Sequence, residues 1–259
     1  MDLFTKPIAR IYIEEIRTKM DDKVVPIFSP DTAIDVGDFG SFEDGQFVKK
    51  GNIKGRGLEF EVEESPAGAY DFASANKVKV GASVKVPNPA GGELFKSTIT
   101  FGGSKAVAAS FKGGVDRSVQ DADMLSDKLL GLWYRGELPT ERVVVWAIRR
   151  SAGGAIVISA EGDNEVEVFA DPVAIGAAGI TLASLSAGVT FGAERKATWK
   201  LTRGDVPLVV WARMLRLSDD QRRVVDAFKF DEARTAAPAL EPSTFTTDDL
   251  LKEVDAASP

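Results

Sequence analysis

Asp35, Asp38, Glu43 and Asp44 are the clustered acids of this chain, and they bound the chemistry it can do. Closely spaced carboxylates suit general acid–base work or an oxygen-ligand cation site. The segment from Val36 to Gly45 has neither the spacing nor the terminal bidentate Glu of a calcium loop, and Gly37, Gly40 and Gly45 fit turns, so no metal site is expected. The chain contains no His and no Cys. That removes the Ser-His-Asp triad, imidazole ligation, thiolate nucleophiles, thiolate zinc sites and disulfides. Gly153-Gly154 has neither a G-x-G-x-x-G nor a P-loop context, and no cofactor is expected. A carboxylate-based hydrolase is what remains on the enzymatic side.

A second cluster is cationic and lies on strand-like sequence. Between Lys77 and Val86 the apolar residues Val78, Val80, Ala82, Val84 and Val86 alternate with Lys77, Lys79, Gly81, Ser83 and Lys85, the period of a strand with one apolar face. Pro87-Asn88-Pro89-Ala90-Gly91-Gly92 supplies a turn. Beyond it, Phe95, Ile99 and Phe101 share one face, while Lys96, Thr98 and Thr100 share the other. Residues 76–114 hold six Lys against one Glu, in a chain whose formal net charge is −7. This local patch can meet an anionic surface, whereas the overall acidity argues against nucleic acid as a partner. Strands of about 9–11 residues cross a bilayer when tilted, and a half-buried hairpin with a lysine-rich solvent face has the same pattern.

The elements that must carry these residues follow from the same periodicities. Thr5 to Met20 predicts an amphipathic helix with Pro7 in its first turn and a stripe of Ile8, Ile11, Tyr12, Ile16 and Met20. Lys6, Arg10, Arg17 and Lys19 outnumber Glu14 and Glu15 on its other faces, so it packs on a sheet or rests on a membrane surface. Pro26 makes residues 24–28 an edge strand, and Leu58 to Glu63 a further strand. Between Val115 and Leu138 the period becomes helical, with Val119, Ala122, Met124 or Leu125, Leu129 and Trp133 on one face and Pro139 as the stop. Arg142 to Arg149 is the most apolar strand. Ser151 to Gly154 predicts a turn that returns the chain as 155–160, and alternation resumes at 165–169. Residues 171–193, rich in Gly, Ala and Ser, predict a strand or a short helix followed by one. Lys196 to Leu217 predicts two strands turning at Gly204-Asp205. The class is α+β: one large twisted, mainly antiparallel sheet with an N-terminal amphipathic helix, a mid-chain helix and a short C-terminal helical tail.

The C-terminal part differs in character. Residues 218–221 form a capping-box pattern, 234–243 read as a linker, and Thr246 or Thr247 caps a last helix carrying Leu250, Leu251 and Val254. Residues 231–259 hold seven acids and two bases. A body at 1–217 and a segment at 218–259 are therefore expected. No apolar run approaches the roughly 18 residues of a membrane-spanning helix, and no signal-peptide core is present, which leads to a cytoplasmic expectation.

The order of these elements resembles the pore-forming domain of the gasdermins, in particular the compact bacterial and fungal members. The resemblance rests on the basic N-terminal helix, the basic hairpin at 77–101 and the helix ending near Trp133. It continues through Leu138-Pro139 into Arg142-Val143-Val144-Val145-Trp146-Ala147-Ile148-Arg149, then 155–161 and 165–168. A second long hairpin would pair 155–169 with about 180–202. Bacterial members commonly carry an acylated Cys near the N-terminus, which this chain lacks.

The resemblance implies a non-enzymatic protein, autoinhibited until a protease removes the C-terminal tail, which then moves from the cytoplasm to the inner membrane and forms a homo-oligomeric pore in cell death or anti-phage defence. The first membrane-inserting hairpin would use Val78, Val80, Val84, Val86, Phe95, Ile99 and Phe101. The second would use Ile156, Ile158, Val166, Val168, Leu182, Leu185, Val189 and Phe191. Lys6, Arg10, Arg17, Lys77, Lys79, Lys85 and Lys96 would meet anionic lipids. Phe245, Leu250, Leu251 and Val254 would form the inhibitory tail, with cleavage near Arg234, Leu240 or Glu241. On the residues alone a different class stays open: a β-rich structural or protein-interaction module, such as a virion or assembly component, with no membrane activity.

Overall fold

A computed structural model describes residues 5–20, 23–27, 33–43, 46–139, 141–176, 179–186, 190–194, 197–214, 243–246, 248–249 and 252. In chain order its elements are α1 (Thr5–Arg17), β1 (Val25–Pro26), β2 (Asp38–Glu43), β3 (Gln46–Asn52), β4 (Val62–Ala67), β5 (Tyr70–Ala73), β6 (Val78–Val80) and β7 (Val84–Pro87). They continue with β8 (Glu93–Phe101), β9 (Ala106–Phe111), β10 (Gly114–Val119), α2 (Ala122–Tyr134), β11 (Val143–Ser159) and β12 (Asn164–Ala170). The last are α3 (Pro172–Ile175), β13 (Thr190–Glu194), β14 (Ala197–Met214) and β15 (Ser243–Phe245). The class is α+β as expected, with sheets of ten and five strands, and every register described is antiparallel.

Two compact units are interleaved along the chain: residues 1–20, 66–115 and 150–208 form one, and 21–65, 116–149 and 209–259 the other. In the first, α1 buries Ala9, Tyr12, Ile13 and Ile16, the i, i+3, i+4, i+7 positions of one helical face, together with Ile11. The five-stranded sheet runs β13-β12-β8, and β6 and β7 follow one another along the free edge of β8. Its inner face meets Ala106 and Ala108 of β9 and Ala155 and Val157 of β11 in a core that includes Ile99, Phe101, Val166, Val168, Ile180 and Leu185. Small residues on β9 and β11 let that face approach closely, and the large side chains come from the opposing strands.

In the second unit, Asp121 caps α2 by accepting from Met124 N at 2.8 Å. Leu125, Leu129, Leu132 and Trp133 are buried, and the helix ends as Gly136 N donates to Trp133 O and Glu137 N to Leu132 O, with Gly136 at φ +69. β2 and β3 form a hairpin, and β2 also pairs the start of β11. β1 lies on β14 as the Pro-bearing edge expected of it. The tail supplies an element that the sequence did not suggest: β15 pairs β14 along Ala212, Arg213 and Met214.

Two turns expected from composition are not turns. Ser151 to Gly154 lies inside β11, where Gly153 at φ +140 and Ser151 Oγ, donating to Lys112 O at 2.6 Å, accommodate an irregularity without reversing the chain. Gly204-Asp205 lies inside the eighteen-residue β14. The run from Lys77 to Val86, expected as one strand, is interrupted between β6 and β7. Conversely, the helical period expected from Val115 on begins only at α2: residues 115–119, with Val119 assigned to the helix face, belong to β10. Residues 171–193 do give a short helix followed by a strand. The expected strand at 58–63 is found later, at Val62–Ala67.

Candidate functional site

The acidic cluster is structural. Asp38 is fully buried and accepts from Asp35 N and from Asn52 Nδ2, both at 2.8 Å, while Lys49 Nζ lies 2.8 Å away. Arg117 Nη1 donates to both carboxylate oxygens of Asp35, at 2.5 and 2.6 Å, and Arg117 Nε donates to Glu64 at 2.8 Å. Desolvation works against the Arg117 charge, and the hydrogen bonds and Coulomb attraction of Asp35 and Glu64 overcome it, so its pKa is raised. Glu43 accepts from Ser41 Oγ at 2.9 Å. Asp44 lies outside the described residues. Every described acid of this cluster thus has a partner within the second unit, and none faces another across an open cleft as an acid–base pair would.

The basic hairpin is where sequence and geometry combine. β8 pairs β12 over seven residues, from Asn164 opposite Phe101 to Ala170 opposite Phe95. Alternation therefore sorts Phe95, Ser97, Ile99, Phe101, Val166 and Val168 to one face and Lys96, Thr98, Thr100, Glu165 and Glu167 to the other. Ile99, Phe101, Val166 and Val168 are completely buried, and Val78, Val80 and Phe95 pack against them. Val84 and Val86 are elsewhere: they lie opposite Lys96 and Leu94, on the polar face, and Val84 is 56% exposed.

The residues expected for a second hairpin divide between two sheets. Val166 and Val168 lie on β12, which pairs β13 with Val168 opposite Phe191. Ile156 and Ile158 lie on β11, opposite Ala109 and Val107 of β9, and are buried. Leu185 is buried in the same core as Ile99, with Leu182 packed against it. Val189 lies outside the described residues.

The cations are largely matched by carboxylates within the chain. Arg10 Nε donates to Glu14 at 2.7 Å, Lys77 Nζ to Glu15 at 3.0 Å, and Lys85 and Lys96 lie 2.9 and 2.7 Å from Glu93 and Glu167. Lys79 and Arg17 are exposed, and Lys6 lies on α1. Glu15 and Glu167 are the partners that sequence reasoning did not assign to Lys77 and Lys96. The strict alternation of Glu165 and Glu167 with Val166 and Val168 was the available signal, because it puts acids on the face that the lysines share. Such half-exposed pairs contribute about 0–1 kcal/mol each, so they exchange readily for other anions.

Of the tail, Phe245 lies on β15 opposite Ala212. Thr246 makes the expected cap: its Oγ1 accepts from Asp249 N at 3.4 Å, and Asp249 Oδ2 accepts in return from Thr246 N and Oγ1, both at 2.8 Å. Leu250, Leu251, Val254, Arg234, Leu240 and Glu241 lie outside the described residues. Among the described residues no helix is long and apolar enough to cross a membrane.

No family model matches the chain, and no curated protein matches it. Among solved structures, the chain is similar to the cryo-EM structure of the Gasdermin A3 membrane pore, at 12% identity and a TM-score of 0.36, over 83% of this chain and 90% of that one. It is also similar to a bacterial gasdermin from Bradyrhizobium tropiciagri, at 12% identity and a TM-score of 0.32, over 83% of this chain and 88% of that one.

Proposed function

We propose that this chain is a gasdermin-like pore-forming protein without enzymatic activity. A C-terminal segment holds it inactive in the cytoplasm. Proteolysis within about 234–243 releases that segment, and the chain oligomerises in an anionic membrane, lysing the cell in a defence response. The observation that carries this reading is the two-faced β8–β12 pair, mainly apolar on one side and Lys, Thr and Glu with the single Phe169 on the other, with β8 nine residues long. A membrane-spanning barrel strand needs that division and about that length, and barrel closure satisfies the backbone groups that lipid cannot. Lys77, Lys85 and Lys96 of the hairpin and Arg10 of α1 are held by carboxylates that lipid phosphates can replace.

Dye release from vesicles of phosphatidylethanolamine and phosphatidylglycerol tests this, comparing the full-length chain with a truncation ending at Arg234. Release by the truncation alone is the expected result. If both forms are folded and neither releases dye, the pore reading fails and a protein-interaction module takes its place.

A further inference from the structure

Between β6 and β7 the backbone departs from the alternation of its own sequence. Val78 lies opposite Phe101 and Val80 opposite Ile99, but Val84 lies opposite Lys96 and Val86 opposite Leu94. Four steps along one strand, Val80 to Val84, therefore face three along the other, Ile99 to Lys96. The extra residue is a bulge at Gly81–Ser83, and because side chains alternate with period two it exchanges the faces beyond it. Lys85 consequently sits opposite Phe95 on the apolar face, and Val84 stands on the polar one.

Specific contacts hold the bulge. Ser97 Oγ donates to Gly81 O at 2.6 Å, and Gly81 N donates to Thr98 O at 2.8 Å. Ile180 N donates to Ser83 Oγ at 2.7 Å. Gly179, at φ +75, lies so close that a Cβ there would come within 2.8 Å of the Ser83 side chain.

We infer that the hairpin is a two-register device, and that a one-residue slide of 84–87 along β8 removes the bulge and completes the membrane-facing surface. In the slid register Ala82, Val84 and Val86 come opposite Ser97, Phe95 and Glu93. Val78, Val80, Ala82, Val84 and Val86 then share the face of Phe95, Ile99 and Phe101. Lys77, Lys79, Lys85 and Lys96 collect on the other. That is the complete two-faced pattern of a membrane-spanning hairpin, which the bulged register withholds. The clasp of Ser97, Ser83 and Ile180 N retains the bulged form. This inference rests on the pore reading for its purpose, though the two registers are a property of the hairpin itself.

Because the chain has no Cys, paired cysteines report register directly. Val84→Cys with Lys96→Cys joins residues opposed in the bulged register. Val86→Cys with Glu93→Cys joins residues opposed only after the slide. In the full-length protein, oxidation is expected to cross-link the first pair and not the second. A full-length chain carrying a specific protease site at 236–241, cleaved on the vesicles described above, is expected to show the reverse. Oxidising the first pair before cleavage should abolish dye release, and reduction should restore it. Unimpaired release by the locked protein overturns the inference, as does cross-linking of the second pair in the resting chain.

Absence of release from the cleaved cysteine-free protein on the same vesicles would count against the pore reading alone. The register inference is then decided in solution: Ser83→Ala with Ser97→Ala should raise the yield of the 86–93 cross-link, and an unchanged yield overturns it.

Discussion

Lys77 Nζ donates to Glu15 Oε1 at 3.0 Å, so the residue that leads into β6 is tied to the last turn of α1. Lys77 also donates to Lys105 O at 3.3 Å, and Glu15 is only 19% exposed. The pair therefore joins the basic helix to the basic hairpin, the two parts expected to meet lipid. Glu15→Lys should loosen this attachment by about 1 kcal/mol, read as faster amide exchange in residues 8–17, and adding Lys77→Glu should restore protection. Unchanged exchange in the single variant would mean that the apolar face of α1 holds it unaided.

Val84 and Phe101 should separate stability from membrane activity. Phe101 is completely buried, so Phe101→Ala should cost about 3–5 kcal/mol in urea denaturation. Val84 is 56% exposed, so Val84→Asp should change stability by no more than about 0.5 kcal/mol. In the proposed pore the same residue faces lipid, where an acid is disfavoured, so dye release by the cleaved Val84→Asp chain should be lost. A folded Val84→Asp protein that releases dye normally would remove this position from the spanning face. Ile99→Asp is a poorer test, because Ile99 is completely buried and the variant would lose its fold first.

Asp38→Ala should destabilise the chain by about 2–3 kcal/mol, since Asp35 N and Asn52 Nδ2 lose their shared buried acceptor. The midpoint of urea unfolding checks this. A loss below the error of the measurement would show that water replaces the carboxylate.

Alkaline pH should weaken the fold through Tyr12. Burial, and to a lesser degree the Coulombic effect of Tyr70, raises its pKa above the ordinary value of 10.0. With the folded value raised, the unfolded chain releases the proton first. The contribution is therefore complete below about pH 10 and is lost as pH rises toward the folded value. Tyrosinate absorbance from Tyr12 should emerge only with the loss of circular dichroism, and Tyr12→Phe should flatten the fall of stability above pH 10. Titration of Tyr12 at its ordinary value in a folded chain would contradict this.

The parts legible in the sequence were those set by local periodicity. Ile99 and Phe101 against Thr98 and Thr100, the α2 face of Leu125, Leu129 and Trp133, and the Thr246 cap are all fixed by residues a few positions apart. What was misread depends on distant partners. The bulge at Gly81–Ser83 is held by Ser97 and by the backbone of Ile180, so an unbroken alternation of ten residues gave no sign of it. Ser151 to Gly154 has the composition of a turn, yet Lys112 O binds Ser151 and β11 continues through. Gly204 likewise sits in a strand, because glycine permits a turn without imposing one. The pairing of β15 with β14 joins a strand of the expected body to residues about thirty positions later, at the end of the expected linker and the start of the tail.

The central claim is that β8 enters the membrane with one face toward lipid. A single-cysteine scan from Leu94 to Phe101, labelled with an environment-sensitive fluorophore, tests it on the cleaved full-length chain in anionic vesicles carrying a lipid-bound quencher. Quenching should alternate, strong at Phe95, Ser97, Ile99 and Phe101 and weak at Lys96, Thr98 and Thr100. Labels that stay unquenched along the whole strand, or are quenched without alternation, would contradict the claim.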